Sequence, residues 1–219
     1  MDLKNKYIII ITIVVIIIAI VGAYAFGCFD FSEKTEFDNK FMSGTFQGKV
    51  IENPINSSIK YSEWTDSYTD KVNSIEYNMS CFKNGSILMD IYQLQGLSKP
   101  EIREFNGVSW NIYYSQAVPS SVSNNSNLNE SPVMNVYICE ADNDGASYMI
   151  YIVSSDKNLS CDGPMYCDFY KEKVEPLLKS ISFKDGSKSP ELYDILGIQK
   201  SDMKELIKEI DQLKASPNI

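Results

Sequence analysis

Histidine is absent from the 219 residues. That removes the commonest general base, the commonest metal ligand and every Ser-His or Cys-His nucleophilic pair. The five cysteines include no CxxC pair, so a thiolate zinc site lacks its usual spacing. Internal repeats and catalytic signatures are missing as well. Positive charge is scarce: 20 Lys and Arg stand against 29 Asp and Glu, for a net charge of −9. A surface that negative repels nucleic-acid backbones and anionic lipid headgroups, which argues against nucleic acid as a partner. The sequence therefore offers no catalytic, cofactor-binding or metal-binding residue to name.

Charge is missing entirely from residues 7–26, which read YIIIITIVVIIIAIVGAYAF. As a helix this stretch spans about 30 Å, the hydrocarbon thickness of a bilayer. Lys4 and Lys6 precede it, while Asp30, Glu33 and Glu36 follow it with only Lys34 against them. The positive-inside bias predicts a cytoplasmic stub at 1–6, one lipid-contacting transmembrane helix at 7–26, and the bulk of the chain outside the cell. Two alternatives remain open. Ala23-Tyr24-Ala25 satisfies a signal-peptidase pattern, although the apolar run exceeds a usual signal core. Cys28 after Gly27 offers a lipid-attachment site with poorly fitting residues before it. All three readings place the domain on the same side. Asn-x-Ser sequons at Asn56, Asn78, Asn84, Asn124, Asn129 and Asn158 are compatible with surface glycans there.

Beyond a polar spacer at 27–40, hydrophobic alternation dominates. Ile75, Tyr77, Met79 and Cys81 share one side of a strand, and Lys83-Asn84-Gly85 predicts a hairpin into Ile87, Met89 and Ile91. Asn106-Gly107 predicts a second hairpin, leading into Val108, Trp110, Ile112 and Tyr114. Met134, Val136 and Ile138 alternate before Asp144-Gly145, and Tyr148, Ile150 and Ile152 after it. An earlier strand is expected at 45–51, and residues 116–132, rich in Ser and Asn, form a loop. The period lengthens from Pro164, where Met165, Phe169, Tyr170, Val174, Leu177, Leu178 and Ile181 recur as on an amphipathic helix. Asp162 is its expected N-cap, and Pro176 should kink or split it. The reading is an α+β domain over 41–186: an antiparallel meander with one buried face, covered by a helix. A C-terminal helical hairpin follows over 187–219. Gly197 ends its first helix, and Met203, Leu206, Ile207, Ile210 and Leu213 form a stripe on its second. The other face mixes Lys204, Glu205, Lys208, Glu209 and Asp211, which suits solvent or a protein partner better than a membrane surface.

The short Lys-containing start, the Ile-rich helix and the Asn/Tyr/Ser-rich strand domain resemble uncharacterised membrane-anchored proteins of methanogenic archaea. The strands followed by Val174-Glu175-Pro176-Leu177-Leu178-Lys179-Ser180-Ile181-Ser182-Phe183 also resemble the close of PsbP/Mog1-type α/β/α domains, over about residues 40–185. That resemblance implies a fold and a location but no activity. Leu192-Tyr193-Asp194-Ile195-Leu196-Gly197 is similar to the opening of a J-domain, whose His-Pro-Asp tripeptide this chain cannot supply.

Outside the membrane, Cys81, Cys139, Cys161 and Cys167 could form disulfides: Cys161 with Cys167 around a small loop, and Cys81 with Cys139 between strands. The alternatives are buried free thiols, or a metal site that lacks a CxxC pair. Residues 140–145, EADNDG, match the opening of a calcium loop, but Tyr151 stands where a bidentate Glu belongs, which favours a hairpin turn. Trp110, Tyr113 and Tyr114 could line a groove or fill a core. Asp90, Glu101 and Glu104 offer carboxylates without a paired acid and base. The function expected is a non-enzymatic membrane-anchored binding or cell-envelope module, without a cofactor. The alternatives are an accessory subunit docking through the C-terminal helices, or a carboxylate- or thiol-dependent envelope enzyme.

Overall fold

Ala146–Ser154 (strand β9) is apolar on both sides: Tyr148, Ile150 and Ile152 point one way, Met149 and Tyr151 the other. Such a strand must be covered twice. In the computed structural model, which describes residues 33–55, 57, 58, 60–117, 134–155 and 167–214, both coverings are present.

The strands are β1 (Lys34–Asp38), β2 (Met42–Gln47), β3 (Ile51–Glu52), β4 (Thr65–Asp70), β5 (Ile75–Phe82), β6 (Glu101–Phe105), β7 (Val108–Ala117), β8 (Met134–Asn143), β9 and β10 (Ser182–Phe183). Seven form one antiparallel sheet in the order β3-β4-β5-β9-β8-β7-β6. The other three form a small sheet, β1-β2-β10. The helices are α1 (Ser86–Leu94), α2 (Glu175–Ser180, entered through a π turn at Tyr170–Val174), α3 (Leu192–Leu196) and α4 (Lys200–Lys214). One face of the large sheet packs on the small sheet and α2, around Tyr77, Tyr137, Ile150 and Leu177. The other packs on α1, α3 and α4, around Met89, Met149, Leu192 and Met203.

Of the three predicted Asx-Gly hairpins, two form where the sequence predicts them. Asn106-Gly107 (φ 54° and 77°) and Asp144-Gly145 (φ 50° and 78°) have the paired positive φ values of a turn matched to strand twist. The acidic run at 140–145 is thus the end of β8 and a hairpin turn.

Several expectations are corrected. The segment after Gly85 is helix α1 and not a strand. Ile87, Leu88 and Ile91 lie at helical spacing, while Ile87, Met89 and Ile91 alternate, so the segment satisfies both periods. Asn84, at φ 61°, turns the chain out of the sheet. Gly85 then donates its N–H to Ser147 Oγ at 3.1 Å. A Cβ on Gly85 would lie 2.5 Å from that of Ser147, so the close approach requires glycine. The sheet has two buried faces, not one. Residues 34–38, read as spacer, are strand β1, paired with β2 from Lys34↔Gln47 to Asp38↔Ser43. The strand expected at 45–51 is broken at Gly48 (φ 119°) into β2 and β3. Pro176 does not break its helix. The π turn, with Glu175 N–H donating to the Tyr170 carbonyl, resets the register so that proline falls in the first turn of α2, where its missing donor is harmless.

Cys81 and Cys139 are buried thiols. Cys81 pairs in register with Tyr148 and Cys139 with Ile150, on opposite sides of β9. Two strand spacings, about 10 Å, separate them, too far for a disulfide. Cys167 is also a buried thiol, its sulfur 3.2 Å from the Tyr137 hydroxyl; Cys161 lies outside the described residues. The helical hairpin forms, but its stripe is turned inward: Met203 and Ile210 are buried, while Leu213 stays exposed. No helix among the described residues is long and apolar enough to cross a membrane. Residues 7–26, Asp162 and Pro164 lie outside them.

The layer carrying α2 is pinned by one ion pair. Asp70 is fully buried and accepts from the N–H groups of Val72 and Asn73 at 3.0 Å each, with Lys173 Nζ 3.5 Å away. Lys173 also donates to the Gln47 carbonyl at 2.7 Å. Burial would raise the Asp70 pKa, but the Asn73 amide and N–H groups, Lys173 and Val72 outweigh it and hold it below the ordinary carboxylate value.

Two substitutions test the double covering. Met149→Ala and Ile150→Ala are each expected to lower stability by about 2–5 kcal/mol in urea unfolding. A sheet with one wet face would lose that much at Ile150 alone.

Candidate ligand-binding cleft

Where β1 and β2 lean over β4, three rings meet. Phe37 lies 4.7 Å from Phe46 and 5.6 Å from Tyr68, centroid to centroid, and Phe46 lies 5.1 Å from Tyr68. With Val50 they floor a cleft of 430 Å³, a volume in the range of small-molecule sites. Its rim is acidic: Glu36, Asp38, Glu52, Glu63 and Asp66, with Lys40 the one basic lining residue.

Two rim carboxylates are neutralised. Glu63 receives Lys40 Nζ at 2.8 Å, and that hydrogen bond and charge lower its pKa. Lys40 in turn sits 4.4 Å above the Trp64 ring. Asp38 pairs with Lys184, which reaches across from beyond β10. Among the described residues no cation pairs with Glu36, Glu52 or Asp66. Half-buried on β4, Asp66 has its pKa pushed up to about 6 by desolvation first and by the Glu52 charge second. Burial likewise pushes the Tyr68 phenol up to about 12. The cleft holds more negative charge than it balances, above an apolar floor. Such a cleft favours positive charge over negative.

No known protein family matches the chain, and no curated protein does. Two solved structures are similar to it. A protein from Bacteroides thetaiotaomicron VPI-5482 has a TM-score of 0.44 at 12% identity, covering 86% of this chain and 72% of that one. Cyanobacterial PsbP (CyanoP) from Synechocystis sp. PCC 6803 has a TM-score of 0.43 at 9% identity, covering 71% of this chain and 95% of that one.

The residues singled out from sequence fall elsewhere. Trp110 and Tyr114 stand on one face of β7 and Tyr113 on the other, so they line no common groove. Trp110 packs on Phe183 and Tyr114 on Tyr137, at 5.6 and 4.9 Å. Glu101 pairs with Arg103 on the edge strand β6, where Glu104 also stands. Asp90, on α1, lies close enough to Glu140 and Tyr113 to raise the pKa of each. Desolvation pushes the Cys81 thiol up to about 11 and raises that of Cys139 further, so neither is a ready nucleophile. Asn78 and Asn84 are exposed, and Asn84 Nδ2 donates to Glu191 at 2.6 Å. Asn56, Asn124, Asn129 and Asn158 lie outside the described residues. The cleft itself was not named from sequence, because its carboxylates are scattered from Glu36 to Asp66.

Asp66 has a sign that can be checked. Its folded pKa of about 6 exceeds the ordinary 3.8, so ionisation costs stability fully above pH 6 and not at all below the ordinary value. Allowing for solvent screening, Asp66→Asn is expected to stabilise by about 1 kcal/mol at pH 7.5. The gain should vanish by about pH 4, as read from urea midpoints at the two pH values.

Proposed function

We propose that this is a non-enzymatic binding module, held on the outer side of a membrane by residues 7–26. Its ligand is an organic cation, a primary ammonium or guanidinium group on an apolar body. The observation that carries this reading is the set of unbalanced carboxylates, Glu36, Glu52 and Asp66, over the Phe37–Phe46–Tyr68 rings. An ammonium group would pair with the acids while its apolar body covered the rings, and each contact strengthens as water leaves. The buried, high-pKa thiols of Cys81 and Cys139 support binding over thiol chemistry.

Benzylammonium and its neutral analogue benzyl alcohol separate charge from shape. In an NMR titration at pH 7.5, benzylammonium is expected to shift the ring signals of Phe37, Phe46 and Tyr68 saturably, and benzyl alcohol to do so far more weakly. Affinity should fall as pH drops through about 6, where Asp66 takes up a proton. Asp66→Asn should weaken binding by about tenfold, the ~1.4 kcal/mol of one charged contact. Equal response to both probes would count against a cation site.

The location has its own test. The whole chain should pellet with membranes, and protease added to intact cells should remove the domain. Recovery in the soluble fraction, or protection until lysis, would contradict it.

A further inference from the structure

On the opposite face of the sheet from the cleft, Glu140 of β8 is 1% exposed, and its Oε1 has no hydrogen-bond partner. An ionised carboxylate in such a place is costly unless paired. The charged groups around it make matters worse. Asp142 follows it on β8, and Asp90 approaches from α1; both repel its negative form. From β7 come Asn111, whose amide favours the charged form, and the phenol of Tyr113; from β9 comes the phenol of Tyr151. In the same core α3 and α4 contribute Leu192 and Met203, both apolar. Among the described residues no lysine or arginine pairs with Glu140, and no three acidic or cysteine side chains converge closely enough to hold a metal ion.

We propose that Glu140 is a proton-operated latch: it carries a proton while α1 is seated on the sheet, and its ionisation loosens α1. The proton passes to solvent as the layer opens. Helix α1 is the element suited to move. It has nine residues, begins at Gly85 without a side-chain cap, and is followed by Gly96 at φ 101°. A helix of that length is marginal without its packing. It also carries Asp90, so the repulsion created by ionisation acts between the sheet and the helix itself. Opening would uncover Met89 of α1 and Met149 of β9, both fully buried when closed. The folded pKa of Glu140, about 7 against an ordinary 4.5, places the transition in the physiological range.

Hydrogen exchange of the whole chain, corrected for the intrinsic pH dependence of the amides, tests the latch. Protection of residues 86–94 is expected to fall about tenfold per pH unit between about pH 5 and 7, then level off. The amides of β9 should stay protected throughout. Glu140→Gln, which keeps the shape without the charge, should give a flat α1 profile. Asp90→Asn should move the fall to lower pH, since it removes a group that keeps the proton on. A flat wild-type profile, an unchanged slope in Glu140→Gln, or loss of protection in β9 together with α1 would each overturn the proposal.

Discussion

The structure depends on one constraint: the central strands β9 and β8 carry large apolar side chains on both faces, so each face must be sealed. Tyr148, Ile150 and Ile152 cannot be buried by the same layer as Met149 and Tyr151. The small sheet and α2 seal one face, and the three remaining helices seal the other. At about 25 cal/mol per Å² of apolar area, side chains of this size contribute about 1.5–3 kcal/mol each on burial, which makes a bare face untenable.

Sealing both faces has electrostatic consequences. Acids that alternate along an exposed strand would be harmless, but here some fall under a layer. Asp70 is rescued by Lys173 and its hydrogen bonds. Asp66 is half-covered and shifts upward. Glu140 is fully covered, faces like charges, and also shifts upward. The two functional proposals rest on acids without a paired cation among the described residues: Glu36, Glu52 and Asp66 at an open cleft, and Glu140 beneath a helix.

Much of the fold was legible because local and global signals agree. Asn106-Gly107 and Asp144-Gly145 specify tight turns, and the alternation on either side of them sets the strands. Gly197, in the left-handed region at φ 68°, ends α3 as read from the sequence. Strand β4 was missed because Asp66 and Asp70 occupy alternate positions where apolar residues would mark a buried side. Helix α1 was read as a strand because SILMDIYQL satisfies both periods, and the local signal cannot choose between them. The choice is made by Gly85 meeting Ser147, sixty-two positions away in sequence. The cleft was hidden for the same reason: its rings and acids come together only when β1, β2 and β4 converge.

The most direct measurement of the sealed second face is a carbon-13 NMR titration of the Glu140 side-chain carboxyl. Burial beneath α1 should give an apparent pKa near 7, well above the ordinary 4.5. A value at or below the ordinary one would mean that water or a cation reaches the group, and that the helices do not close that face of the sheet.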